Sequence, residues 1–226
     1  MDLSHSMFRK RLAIATAALF LPLATPAAAS DEDFELWLNP TFTFELDEDT
    51  DFQLETAQRF RDEDRGRVDT YYARFWIKQR IGDGLRLDGG FETRANDGGR
   101  DELRFLQQLN ASSGILRGRV RLEQRFQEDR GGRMGLRLRN RFGVATPLGE
   151  NSRWSAEANA EFFWTLRGTA PGGDTGLTGV RTVVGVGYEV SDNLEVSLGY
   201  LRQQDFEDNA PDEVGHAPLV GVDFSF

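Results

Sequence analysis

From Phe34 to the end of the chain, apolar and polar side chains alternate with a period of two. Successive side chains of a strand point to opposite faces, so each run reads as a strand with one apolar and one polar face. The first run carries Phe34, Leu36, Leu38, Phe42, Phe44 and Leu46 on one face and is interrupted by Pro40. The second sets Phe52, Leu54, Thr56 and Phe60 against Gln53, Glu55, Arg59 and Arg61. The third sets Tyr71, Ala73, Phe75 and Ile77 against Tyr72, Arg74, Trp76, Lys78 and Arg80. After Gly82-Asp83-Gly84, Leu85, Leu87, Gly89 and Phe91 oppose Arg86, Asp88, Glu92 and Arg94. Further segments are marked by Leu103, Leu116, Met134, Trp154, Val180, Leu194 and Val220, which makes eleven in all. Segments of about ten residues with this period, separated by turn residues, predict an all-β fold, an antiparallel transmembrane β-barrel.

The connections fall into two alternating classes. Those at 47–50, 82–84, 112–114, 147–151 and 191–193 are short. Those near 62–68, 96–101, 127–132, 167–179 and 203–215 are longer and rich in Gly, Asp and Glu. Outer-membrane barrels sort their loops in this way, with short periplasmic turns and longer extracellular loops. A soluble sandwich or lipocalin-like barrel, the alternative, has no reason to do so. The last run, with Val222, Phe224 and Phe226 on one face, resembles the closing strand of bacterial outer-membrane barrels. That resemblance implies that these three residues form the address read by the outer-membrane assembly machinery, and that the short turns face the periplasm.

Eleven is an awkward number, because single-chain bacterial barrels are nearly always even. Ten to twelve strands are therefore expected, with twelve preferred. Either Pro40 splits the first run or an early segment is not a wall strand. The partner of the last strand has to come from residues 34–46. Counted back from Phe226, that run heads toward the periplasm and starts near the outer rim.

The N-terminal residues change the picture of where the chain goes. Phe8-Arg9-Lys10-Arg11 precedes an apolar run, Leu12 to Leu23, and the small residues Ala27-Ala28-Ala29-Ser30. This order is that of a secretory signal peptide, and the apolar run is well short of the roughly 20 residues of a spanning helix. Residues 1–29 are expected to be cleaved, leaving 30–226 as the barrel of a Gram-negative outer-membrane protein. The whole chain has 27 basic and 37 acidic residues, a net charge of −10. Loss of Arg9, Lys10, Arg11 and Asp2 with the signal leaves 24 against 36 and a net charge near −12. Such an acidic chain is a poor partner for a phosphate backbone, so nucleic acid is not an expected partner. There is no cysteine, and Lys78 is the only lysine after the signal. With 28% charged residues and a mean hydropathy of −0.50, the chain still carries 17 Phe and 4 Trp. Barrels escape hydropathy scans because each strand is apolar on one side only.

If the apolar faces meet lipid, the other faces line the lumen. The sixth segment then turns Arg117, Arg119, Arg121, Glu123 and Arg125 inward, and the seventh turns Arg137, Arg139 and Arg141 inward. The two form a hairpin, so the arginines make one basic wall. The eighth answers with Glu157 and Glu161, and the second offers Glu55. Charges this close inside a barrel are paired or hydrated. One reading is a salt-bridged network that replaces a hydrophobic core. Another is an arginine track that passes anionic small solutes, since guanidinium groups suit carboxylates and phosphates. This second arrangement resembles the small twelve-stranded porins for acidic oligosaccharides. A third is a lipid-modifying enzyme, resembling outer-membrane lipid hydrolases and acyltransferases that use a catalytic His with Ser. The one histidine after the signal, His216, would serve as the base. No serine forms a nucleophile motif with it, and no catalytic residue is assigned.

The loop carboxylates Asp62, Glu63, Asp64, Asp205, Glu207, Asp208, Asp212 and Glu213 carry most of the negative charge. They could share divalent cations with lipopolysaccharide, but no loop has calcium-loop spacing, and neither a metal site nor a cofactor is expected. Outer-membrane lipid and lipopolysaccharide are the expected surroundings. Gln107, Gln124 and Asn140 interrupt the lipid-facing pattern on three adjacent segments. They mark the membrane boundary, a bulge or a protein contact.

Arg121-Leu122-Glu123-Gln124-Arg125-Phe126 and Leu138-Arg139-Asn140-Arg141-Phe142 form a repeated pair. With Glu35-Leu36-Trp37 and Val222-Asp223-Phe224-Ser225-Phe226, it resembles a family of small bacterial outer-membrane barrels classed as a domain of unknown function. The resemblance spans most of the chain after the signal. It implies location and architecture, and assigns no site. The expectation is a non-enzymatic integral outer-membrane barrel with a polar, arginine-rich, salt-bridged lumen. An anion channel and a lipid-modifying enzyme are the alternatives.

Overall fold

The computed structural model describes residues 31–61, 68–208 and 210–226. The signal peptide expected over 1–29 and the loop residues Asp62, Glu63 and Asp64 lie outside the described residues. Twelve β-strands and no helix make up the regular structure of the rest. They are β1 (Asp31–Phe34), β2 (Leu36–Glu45), β3 (Thr50–Phe60), β4 (Thr70–Gly82), β5 (Leu85–Asn96) and β6 (Glu102–Ser113), followed by β7 (Leu116–Gln127), β8 (Met134–Pro147), β9 (Trp154–Arg167), β10 (Gly176–Ser191), β11 (Leu194–Asp205) and β12 (Glu213–Ser225).

Each strand from β2 to β12 pairs antiparallel with the next. The sheet closes between β12 and β2, and this pairing is parallel, from Leu219↔Trp37 to Ser225↔Thr43. Strand β1 also lies parallel to β12, from Asp31↔Glu213 to Phe34↔His216. Thus β1 and β2 follow one edge of β12 in succession and share one position in the wall. The barrel is a closed ring of eleven strands with β1 as an extra, twelfth strand.

The parity question resolves in a simple way. An odd number of alternating strands leaves the first and last pointing the same way, so the ring closes in parallel. Parallel pairing is only slightly weaker per residue than antiparallel. The first run is divided at Glu35, whose N–H donates to the His216 carbonyl at 2.8 Å, and not at Pro40. Pro40 stays inside β2, opposite Val222.

The loops sort by end as the alternation requires. Residues 46–49, 83–84, 114–115, 148–153 and 192–193 connect strands at one end. Gly84 and Gly114 have φ of +67° and +55°, as tight hairpin turns demand, and a Cβ on Gly84 would lie 2.2 Å from the Ser112 carbonyl oxygen. The long loops gather at the other end. Two are shorter than expected, because β10 already begins at Gly176 and β12 at Glu213.

The two faces have the polarity of an inverted globule. Phe91, Leu103, Phe105, Leu109, Phe142, Trp164 and Leu198 are exposed, while charged residues on the alternate positions are buried. A band of aromatic rings crosses the outside of the closure. Phe224 stacks on Phe42 and Phe226 on Phe44, each with centroids 5.1 Å apart, and the row continues through Phe52, Phe75 and Phe91. Cross-strand aromatic pairs of this kind strengthen a seam. A continuous exposed apolar face suits hydrocarbon and not water. Gln107 and Gln124 hydrogen-bond to each other at 3.5 Å, and the register through them and Asn140 is unbroken, so they mark no bulge.

Candidate functional site

The inner face from β3 to β9 is a connected set of ion pairs. It follows from the alternation, which puts residues i and i+2 of a strand and their cross-strand partners on one side. Arg74 on β4 stands opposite both Glu55 and Glu92. Two hydrogen bonds of 2.7 Å join its guanidinium to Glu55, and others join it to Glu92. Glu92 is fully buried and also holds Arg94 at 2.9 Å and Arg104 at 3.3 Å. Arg104 passes the connection on to Glu102 at 2.5 Å, where Arg125 joins at 2.5 Å.

Glu123 on β7 is the next centre. It takes Arg137 at 2.7 Å and Arg139 at 2.8 Å, with Arg104 at 3.9 Å. Arg139 reaches Glu161 on β9 at 2.5 Å, and Arg119 pairs with the same carboxylate. Several arginines lie directly opposite one another, as Arg121↔Arg139 and Arg119↔Arg141 do. Like charges so placed repel. The buried carboxylates, each shared by two or more guanidiniums, offset that repulsion diagonally. Tyr72 adds a ring that Arg59, Arg74 and Arg94 approach at 5.3, 4.8 and 5.0 Å.

The residues expected in the basic wall separate on this geometry. Arg119, Arg121, Arg125, Arg137 and Arg139 face inward and engage carboxylates or, for Arg121, the Gln108 amide oxygen at 2.7 Å. Arg117 does not join them. It is exposed at the short-turn rim and donates to the carbonyls of Gly114 and Leu116 at 2.6 and 2.9 Å. Arg141 is half-buried and has no hydrogen bond or ion pair among the described residues. Of the expected acidic partners, Glu123 and Glu161 sit inside the set, whereas Glu157 is exposed and unpaired. Two strand positions, four residues from Glu161, are enough to carry it toward the barrel end.

Glu92, Glu102, Arg104, Arg181 and Trp37 are central here, and the sequence assigned none of them to the site, although Glu92 falls on a polar face and Trp37 in the Glu35-Leu36-Trp37 motif. The first three lay in the same alternation. Arg181 hid in a strand whose other inner positions are Val183, Gly185 and Gly187. His216 has its Nδ1 in a 2.5 Å hydrogen bond with the Tyr200 hydroxyl and lies against Phe34. Val222, Phe224 and Phe226 are on the outer face at the closure. In the loops, Asp205 accepts from Gln203 at 2.6 Å and Asp212 from Gln204 at 2.7 Å. Among the described residues, no three carboxylate or histidine groups cluster as a metal site would.

The inner face of β10, β11 and β12 is of another kind. Gly185, Gly187, Ser197, Gly199 and Gly221 occupy inward positions, and a small apolar cluster of Trp37, Val183, Leu201 and Ala217 sits beside Arg181, with Asp223 nearer the short-turn end. Three cavities lie at different levels of the bore, the first lined from β2 to β9, the second from strands all round the ring and the third mainly from β2, β11 and β12. One of about 500 Å³ opens at the short-turn end, bordered by Glu48, Arg80, Arg86, Arg141 and Glu157. A central one of about 380 Å³ is bordered by Trp37, Arg59, Arg121, Arg141, Glu157 and Arg181. A third, of about 220 Å³, sits at the long-loop end between Glu35, Trp37, Arg61, Leu201 and Gln203. The first two share Arg141, Glu157 and Asn159, and the last two share Trp37 and Leu201.

A solved structure titled as a KdgM porin is similar to this chain at 9% identity and a TM-score of 0.42, over 75% of this chain and 91% of that one. No curated protein matches. A family model described as "Protein of unknown function (DUF2490)" matches residues 34–214, which is most of the barrel. The chain belongs to the DUF2490 family.

Proposed function

We propose that this protein is an integral outer-membrane barrel of channel type, non-enzymatic, with a narrow passage along its bore. The ion pairs from β3 to β9 act as bracing that fills the remainder of the bore. One observation carries the reading: the three cavities share lining residues pairwise, with Trp37 and Leu201 common to the central space and the long-loop end. Pore selectivity and conduction depend on such constrictions and on the groups that line them.

The test is single-channel recording in planar bilayers. The folded barrel gives small, steady conductance steps, and Trp37→Ala enlarges them by opening the neck. Silence from both proteins would end the passage reading and leave a braced, closed barrel. Location is tested by heat-modifiable migration of outer-membrane fractions in SDS gels; recovery from the soluble periplasm without detergent refutes it. Insertion by the assembly machinery, through Val222, Phe224 and Phe226, and a lipopolysaccharide surround belong to the same proposal. Lipid turnover unaltered by His216→Ala is the outcome expected of a non-enzymatic barrel.

A further inference from the structure

We infer that the neck of the passage is a binding site for a small oxyanion, a carboxylate or a phosphate, held between Arg59 and Arg181 beside Trp37. Both guanidiniums lie near the Trp37 ring, with Cζ 3.7 Å and 4.8 Å from its centroid. Trp37 is itself fixed, being 3% exposed and donating through Nε1 to Glu35 at 2.5 Å. Two cations are therefore held on one buried ring, and neither has a carboxylate of its own.

Arg59 is buried and makes no ion pair or side-chain hydrogen bond among the described residues, where its Nε is enclosed without an acceptor. Arg181 donates to the neutral Gln203 amide oxygen. Its nearest carboxylate, Glu161, is 3.9 Å away and already committed to Arg139 and Arg119. Glu55 also borders the cavity and is committed to Arg74. Glu157 and Asp223, which border it too, are each four residues along the strand from the residue at this level, Glu161 opposite Arg181 and Leu219 opposite Trp37, a displacement of about 13 Å. Buried charge without a partner is costly, and an arginine fork fits a planar or tetrahedral oxyanion through paired hydrogen bonds. A cavity of about 380 Å³ has room for such an anion with some of its water. The charge that the chain does not supply is thus one that a solute can.

The inference shares the passage with the proposed function only as the route of entry, and binding is measured without conduction. The folded barrel in detergent is titrated calorimetrically with sodium acetate and with sodium phosphate at matched chloride. Saturable heat from acetate alone identifies a carboxylate site, and from phosphate alone a phosphate site. Arg59→Gln and Arg181→Gln each weaken that binding about tenfold, the loss of roughly one charge-assisted hydrogen bond. Arg153→Gln, exposed and outside the cavities, leaves it unchanged. Arg59→Lys keeps the charge without the fork; it binds more weakly than wild type, and serves if the glutamine variants do not fold. No saturable binding of either anion overturns the inference, as does binding that the Arg59 and Arg181 variants leave intact. Conductance without binding refutes this site alone, and binding without conductance refutes the passage alone.

Discussion

The two sides of the bore are built on the same outer alternation and filled by opposite means. From β3 to β9 the inward positions carry long charged side chains that meet in shared ion pairs. From β10 to β12 they carry mostly glycine, serine and short apolar groups, Arg181 and Asp223 excepted, and a cavity of about 260 Å³ lies against them. The outer face cannot reveal this difference, because lipid asks the same of every strand. A barrel this small has too little apolar interior for a conventional core. Shared ion pairs take that role on one side, while small groups line the other.

The contrast can be broken most severely at Glu92. Glu92→Ala strands Arg74, Arg94 and Arg104 in a buried setting and is expected to cost about 3–5 kcal/mol, read from urea unfolding of the barrel in lipid vesicles. Ser197→Ala, on the hollow side, should change the same midpoint by no more than about 0.5 kcal/mol. Equal losses would mean that the two sides are not differently built.

Glycine substitution sharpens the comparison at a smaller scale. A Cβ on Gly90, under Trp76, would lie 2.2 Å from the Phe75 carbonyl oxygen and 2.7 Å from the indole ring. Gly90→Ala should therefore cost about 1–3 kcal/mol through forced overpacking. On the hollow side, a Cβ on Gly185 meets nothing closer than 3.2 Å, and Gly185→Ala should cost less than Gly90→Ala in the same assay.

The smallest effect is expected at the long-loop end. Partial burial, and then the neighbouring Asp174 carboxylate, push the Glu207 carboxyl above its usual value. A carboxyl raised in the folded state favours the structure while protonated, and that contribution fades as pH rises through the raised value. Amide protection in residues 206–208, taken relative to the intrinsic exchange rate at each pH, should accordingly be higher near pH 4 than near pH 7. Glu207→Gln, which keeps a donor and carries no charge, should remove the difference.

Much of this barrel could be read from the chain. The strand series, the sorting of loops by length and the inward direction of Arg119, Arg121, Arg137 and Arg139 all follow from a period of two. The parallel closure was half legible. The odd count of eleven runs pointed to it, but the prevalence of even barrels argued for a split at Pro40, where β2 in fact continues. Within the site, the chain alone showed the face of a residue and not its height along the strand. Arg117 and Glu157 have the right face and the wrong level, at or toward the short-turn end. Periodicity reports a face and carries no coordinate along the bore.

Alternation is a local property, so the residues alone settled which side chains turn inward, that the fold is all-β, and which loops share an end. Pairing inside the bore is not local. That Glu92 gathers three arginines, that Glu161 is exhausted by its neighbours, and that Arg59 and Arg181 converge on Trp37 depend on which strands close the ring and on the stagger between them. Trp37 and Arg181 are far apart in the chain and are brought together across the parallel seam between β2 and β12. Only closure of the sheet could put them there.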